Sequence, residues 1–118
     1  MNRLNAAATA QFAEQGFVIV RNAVSPEAIG RLNGEIDRWI EDSRAQARNY
    51  GETPNGKARF DLEAGHSAAA PRLRRVANPV DISEPFREVL WDGAIPDLVT
   101  GLIGPDVKFH HCKINMKL

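Results

Sequence analysis

The stretch from Val24 to Asp42 constrains the fold more than any other part of the chain. Ser25 is a helix N-cap, and Pro26 takes the first helical position, where a missing N–H costs nothing. Val24 before the cap and Ile29 at the fourth helical position are placed to form a hydrophobic staple. Ile29, Leu32, Ile36, Trp39 and Ile40 then make one apolar stripe, while Arg31, Glu35, Arg38 and Asp42 share the opposite side at i,i+3 and i,i+4 spacings. Such a helix must lay its stripe on another layer, and its charges are read as a solvated face.

Extended segments supply that second layer. Leu4, Ala8 and Phe12 recur every four residues before Gly16, which predicts a short amphipathic helix with a glycine stop. Phe17 to Val20 is an apolar run rich in β-branched residues and predicts a buried strand. Gly51, Pro54 and Asn55-Gly56 mark a loop over Asn49 to Gly56, and Arg59 to Glu63 and Leu73 to Ala77 have strand character on either side of a Gly65 to Pro71 loop. Ser83 caps a further helix bearing Phe86, Val89 and Leu90 that stops at Asp92-Gly93. Pro96 opens another, which Gly104-Pro105 ends. With 118 residues and no repeats, this is one α+β domain.

Val107 to Leu118 predicts one long strand whose alternation sorts its residues. His110, Cys112, Ile114, Met116 and Leu118 share an oily face; Phe109, His111, Lys113, Asn115 and Lys117 share a polar one. That polar face either meets water, in an open sheet, or lines a pocket, in a barrel. The sequence stops inside this strand with nothing to close it, so we expect residues 1–118 to be the N-terminal portion of a longer protein. A sheet edge left open there favours self-association of the isolated piece.

Composition removes several function classes. Fifteen Lys+Arg balance fifteen Asp+Glu, so no basic excess exists to hold a nucleic-acid backbone or an anionic membrane surface. No apolar run approaches the ~20 residues that cross a bilayer, and Gln11, Glu14 and Gln15 interrupt any signal-like segment. A lone cysteine, Cys112, excludes an intrachain disulfide and suits a reducing, cytoplasmic setting. Gly51 to Ala58 approaches a phosphate-loop pattern, but Ala58 lacks the magnesium-binding hydroxyl and a helix precedes the motif. His110 and His111, adjacent on a strand, point to opposite faces, and His66 is read as an exposed loop residue. No His-x-Asp pair and no nucleophile elbow is present.

The ordered set Phe12-Ala13-Glu14-Gln15-Gly16-Phe17-Val18-Ile19-Val20 before the capped helix, Arg59-Phe60-Asp61-Leu62-Glu63, Arg74-Arg75-Val76-Ala77-Asn78 ahead of Glu84-Pro85-Phe86, and Lys113-Ile114-Asn115-Met116-Lys117 resembles the N-terminal portion of the phytanoyl-CoA dioxygenase family. The resemblance spans nearly the whole chain. It implies part of a jelly-roll (double-stranded β-helix) oxygenase that uses Fe(II), 2-oxoglutarate and O₂ to hydroxylate a small-molecule substrate. It also implies that the chain stops before the His-x-Asp metal-binding motif, holds no metal ligand or catalytic residue of its own, binds neither cofactor tightly and is inactive alone. Asn115, Lys117 and Arg75 match positions that contact 2-oxoglutarate in some relatives, and His111 matches one that touches substrate. The competing expectation is a stand-alone, non-catalytic binding or assembly module. A reading frame that continues past Leu118 into a His-x-Asp favours the enzyme, and one that stops favours the module.

Overall fold

A computed structural model describes residues 4–118. Helix α1 (Ala6–Gln15) starts where the Asn5 side chain accepts from the Ala8 N–H at 2.7 Å, and ends at Gly16, whose φ of 80° is the left-handed conformation glycine adopts without strain. Helix α2 (Pro26–Ser43) begins on the expected cap, Ser25 Oγ accepting from the Ala28 N–H at 3.1 Å. Strands β1 (Phe60–Leu62), β2 (Leu73–Ala77) and β3 (Lys113–Asn115) form an open antiparallel sheet in that order. Between β2 and β3 run a 3₁₀ turn (Pro79–Asp81), α3 (Glu84–Arg87) with a π-helical continuation (Glu88–Asp92), and α4 (Ala94–Ile103). Gly93 does not simply stop a helix; it separates the π turn from α4, which begins ahead of Pro96.

The C-terminal part of the α2 stripe, Ile36, Trp39 and Ile40, packs where its periodicity requires, whereas Ile29 in the first turns stays 45% exposed. Trp39, Leu73 and Val76 are buried together, with Ile36, Ile40, Phe60, Phe86, Ile114 and Met116 packed around them. Trp39 meets Phe60 edge-on at 6.1 Å and stacks on Phe86 at 5.8 Å. Behind the sheet, Arg59 is buried and its Nη1 donates to the Ala77 and Asn78 carbonyls and to Asp81 Oδ2, all within 3.1 Å. Asn78, at a positive φ of 47°, ties this knot to the last strand: its N–H donates to the Cys112 carbonyl at 2.8 Å and its Oδ1 accepts the Cys112 N–H at 3.2 Å.

Four expectations need correction. Phe17–Val20 is extended but pairs with no strand among the described residues, so its period-two alternation leaves Phe17 52% and Ile19 68% exposed. A strand needs a partner's ladder as well as β-branched side chains. The closing strand is short: only Lys113–Asn115 pair with β2, extended slightly by the Met116 N–H donating to the Arg74 carbonyl at 2.8 Å. Residues 107–111 lie outside the ladder, so His110 and His111 are not separated by a pleat, and their rings touch edge to face at 4.4 Å. His66 is not a free loop side chain. Its Nε2–H reaches the Ser43 and Gln46 carbonyls at 2.9 and 3.0 Å, and its Nδ1 accepts the Arg72 N–H at 2.8 Å, closing the C-terminus of α2 onto the loop after β1.

The α+β class holds, but these three strands are not a jelly roll, which takes eight strands in two sheets. The Cα radius of gyration is 17.0 Å, against about 13.5 Å for a compact domain of this length. No helix among the described residues is long and apolar enough to cross a membrane.

Candidate functional site

The face of the sheet away from Trp39 carries the polar chemistry. Register sets Asp61 opposite Arg75 on one side and Asn115 opposite Arg75 on the other, so the three side chains form one row across β1, β2 and β3. The register shifts between Asp61 and Leu62: Asp61 pairs with Arg75 but Leu62 with Leu73, leaving Arg74 as an extra residue on β2. This β-bulge decides the site. Simple alternation sends Arg74 to the core face, whereas a bulge lets two successive side chains serve the same face while Leu73 and Val76 both stay buried.

Both arginines accordingly reach one carboxylate. Asp61 Oδ2 accepts from Arg75 Nε at 2.8 Å, from Arg75 Nη2 in a short contact, and from Arg74 Nη2 at 3.4 Å. Asp61 is buried, while the arginine side chains remain partly open. Arg75 Nη1 has no hydrogen-bond partner among the described residues, and Lys113 and Lys117 form no ion pair there.

Two clefts flank the bulge. One, of about 500 Å³, is lined by Glu63, Arg74, Arg75, Lys113, Asn115 and Lys117 together with Met116 and Leu118. The other, of about 810 Å³, runs between the Thr53–Lys57 loop and the Arg74, Arg75, Lys113 and His111 side chains. The structure thus brings Arg75, Asn115 and Lys117 to one cleft and sets His111 in its neighbour. All but Arg75 are exposed, so both clefts are open.

Asp61 and Arg74 escaped sequence reasoning as site residues. Asp61 sat in a weak strand, and nothing in the order Leu73-Arg74-Arg75-Val76 announces a bulge, although two arginines between buried aliphatics are the one signal for it. Cys112 borders the larger cleft, with its thiol pushed above its ordinary pKa by burial, so it stays protonated and unreactive at neutral pH. The phosphate-loop look-alike is a closed turn: the Thr53 and Gly56 N–H groups donate to the Lys57 and Thr53 carbonyls at 2.9 Å, and β1 follows instead of a helix.

The residues present do not fit iron. Among the described residues no group of three or more His, Cys, Asp or Glu could hold a metal ion. They do fit a dicarboxylate, since a guanidinium with a free nitrogen, an amide and two ammoniums are the donors such an anion requires. Compared with known proteins, the chain matches no family model, no curated protein and no solved structure.

Proposed function

We propose that this sheet face is the 2-oxoglutarate wall of an Fe(II)/2-oxoglutarate-dependent dioxygenase of the phytanoyl-CoA dioxygenase type, in which further chain supplies the metal ligands and completes the jelly roll. The observation that carries the reading is the pairing of Arg75 with Asn115 in register, with Lys117 at the rim of the same cleft. Arg75 would grip a carboxylate through Nη1, Asn115 would donate its amide, and Lys117 would neutralise the second carboxylate. Iron, when bound by the complete enzyme, would supply the oxygen chemistry; the task of these residues is to hold and orient the dicarboxylate. His111, in the adjoining cleft, would face the substrate.

One further feature supports an incomplete barrel. Phe17–Val20 is extended, apolar on both faces and unpaired among the described residues, as a strand buried between two layers would be without its neighbours.

Calorimetric titration of 2-oxoglutarate into the complete protein, with the chain beyond Leu118 included, and into its Asn115→Ala variant tests the reading. Binding that weakens about tenfold in the variant is the expected result, and unchanged affinity rejects Asn115 as a contact. Sequencing past codon 118 tests the larger frame: an in-frame His-x-Asp is expected, whereas a stop codon there favours the non-catalytic module.

A further inference from the structure

The larger cleft has a charge pattern that the 2-oxoglutarate reading leaves unused. We infer that it binds a second small oxyanion, a phosphate- or carboxylate-bearing group, separately from the dicarboxylate beside Asn115. That this ligand is the oxygenase substrate rests on the reading above; that the cleft takes an oxyanion does not.

Two residues of β-strand advance about 7 Å, so Asn115 and Lys113, which share a face, are separated by more than the width of a carboxylate. The bulge arginines and Lys113 line both clefts and form the wall between them. Beyond that wall, Lys57 from the Thr53–Lys57 loop and His111 from the approach to β3 line only the larger space. Its volume of about 810 Å³ lies within the range of small-ligand sites.

The charges there are unbalanced. Lys57, Arg74, Arg75 and Lys113 line the cleft, and Asp61 is the carboxylate among its lining residues. Asp61 is buried, and its Oδ2 is already committed to both arginines. The nearby Asp81 carboxylate is taken by Arg59 and by the Asn78 amide. Lys57 and Lys113 therefore face the cleft without an ion-pair partner among the described residues. Pro54, Ala58 and Ala77 add an apolar margin against which the body of an anionic molecule can rest.

The test uses the ¹⁵N-labelled full chain, titrated at constant ionic strength first with 2-oxoglutarate and then with inorganic phosphate. With 2-oxoglutarate saturating, phosphate is expected to shift the amides of Lys57, His111 and Lys113, and Lys57→Gln is expected to weaken phosphate about tenfold while changing 2-oxoglutarate affinity less than about twofold. Lys57 is exposed, so the variant should fold, as an otherwise unchanged amide spectrum will verify. Phosphate shifts confined to the Asn115 end and abolished by 2-oxoglutarate would overturn the second site, as would an unchanged phosphate affinity in Lys57→Gln. If 2-oxoglutarate moves nothing but phosphate binds beside Lys57, the dioxygenase reading falls and the oxyanion cleft stands; the converse pattern removes the cleft alone.

Discussion

Replacing Asp61 by asparagine separates the structural role of the polar row from its binding role. Three hydrogen bonds from Arg74 and Arg75 converge on one oxygen, Oδ2. Asparagine can place its amide oxygen there, keeping the Arg75 Nε contact, so orientation survives while the charge is lost. With Arg75 and Arg74 side chains 37% and 46% exposed, water can solvate the released guanidiniums, and the loss should be that of a partly screened pair, about 1–2 kcal/mol. That corresponds to a drop of roughly 4–10 °C in Tm for a domain of this size. Binding should move the other way. Removing one negative charge about 6 Å from a bound carboxylate is worth on the order of 1 kcal/mol at a dielectric between that of water and that of a protein surface, or about a fivefold gain in anion affinity. Thermal unfolding by circular dichroism and calorimetric titration with 2-oxoglutarate, at one ionic strength, read the two effects. A variant that loses stability and also binds more weakly, or binds no differently, would refute the claim that these guanidiniums face the ligand.

Other consequences concern the scaffold. Trp39→Ala removes the ring between Phe60 and Phe86 and should cost about 3–5 kcal/mol, measured as a lowered urea midpoint; a loss below about 1 kcal/mol contradicts the packing described. His66→Ala strands the Arg72 N–H and the Ser43 and Gln46 carbonyls, at about 1–3 kcal/mol, and should accelerate hydrogen exchange at the Arg72 amide ahead of those in β2. The Glu35 carboxyl is held below its ordinary pKa by the hydrogen bond from Arg38, against the opposing effect of burial and with help from the Ser83 hydroxyl. A lowered acid contributes stability that is full above its unfolded-state pKa and is lost as pH falls through the lower folded-state value. Glu35→Gln should therefore flatten the acid limb of the stability profile, and an unchanged slope below pH ~4.5 would contradict this.

Residues whose roles follow from local chemistry were legible in the sequence. Ser25 caps α2 and Ser83 caps α3 because a short hydroxyl before a helical run satisfies an orphan N–H whatever the tertiary fold. Leu73–Ala77 is a strand and Ile36, Trp39 and Ile40 of α2 cover the core because periodicity encodes which face is buried. What depends on a second segment was not legible. Phe17–Val20 has strand composition but lacks a neighbour among the described residues, and the long strand expected over Val107 to Leu118 pairs only where β2 reaches it. At the site, Arg75, Asn115, Lys117 and His111 could be nominated from the resemblance. The part played by Asp61 and Arg74 could not, because a bulge breaks the alternation from which faces are read.

The central claim is that the row running from Asp61 through Arg75 to Asn115 presents a dicarboxylate site at the Lys117 end of the sheet. Chemical-shift mapping of 2-oxoglutarate on the ¹⁵N-labelled protein addresses it most directly. Saturable shifts centred on Arg75, Asn115 and Lys117 are expected, carried to the Asp61 amide through the shared guanidinium. Shifts scattered over exposed lysines remote from this face, or none at the Arg75–Asn115 pair, would contradict it.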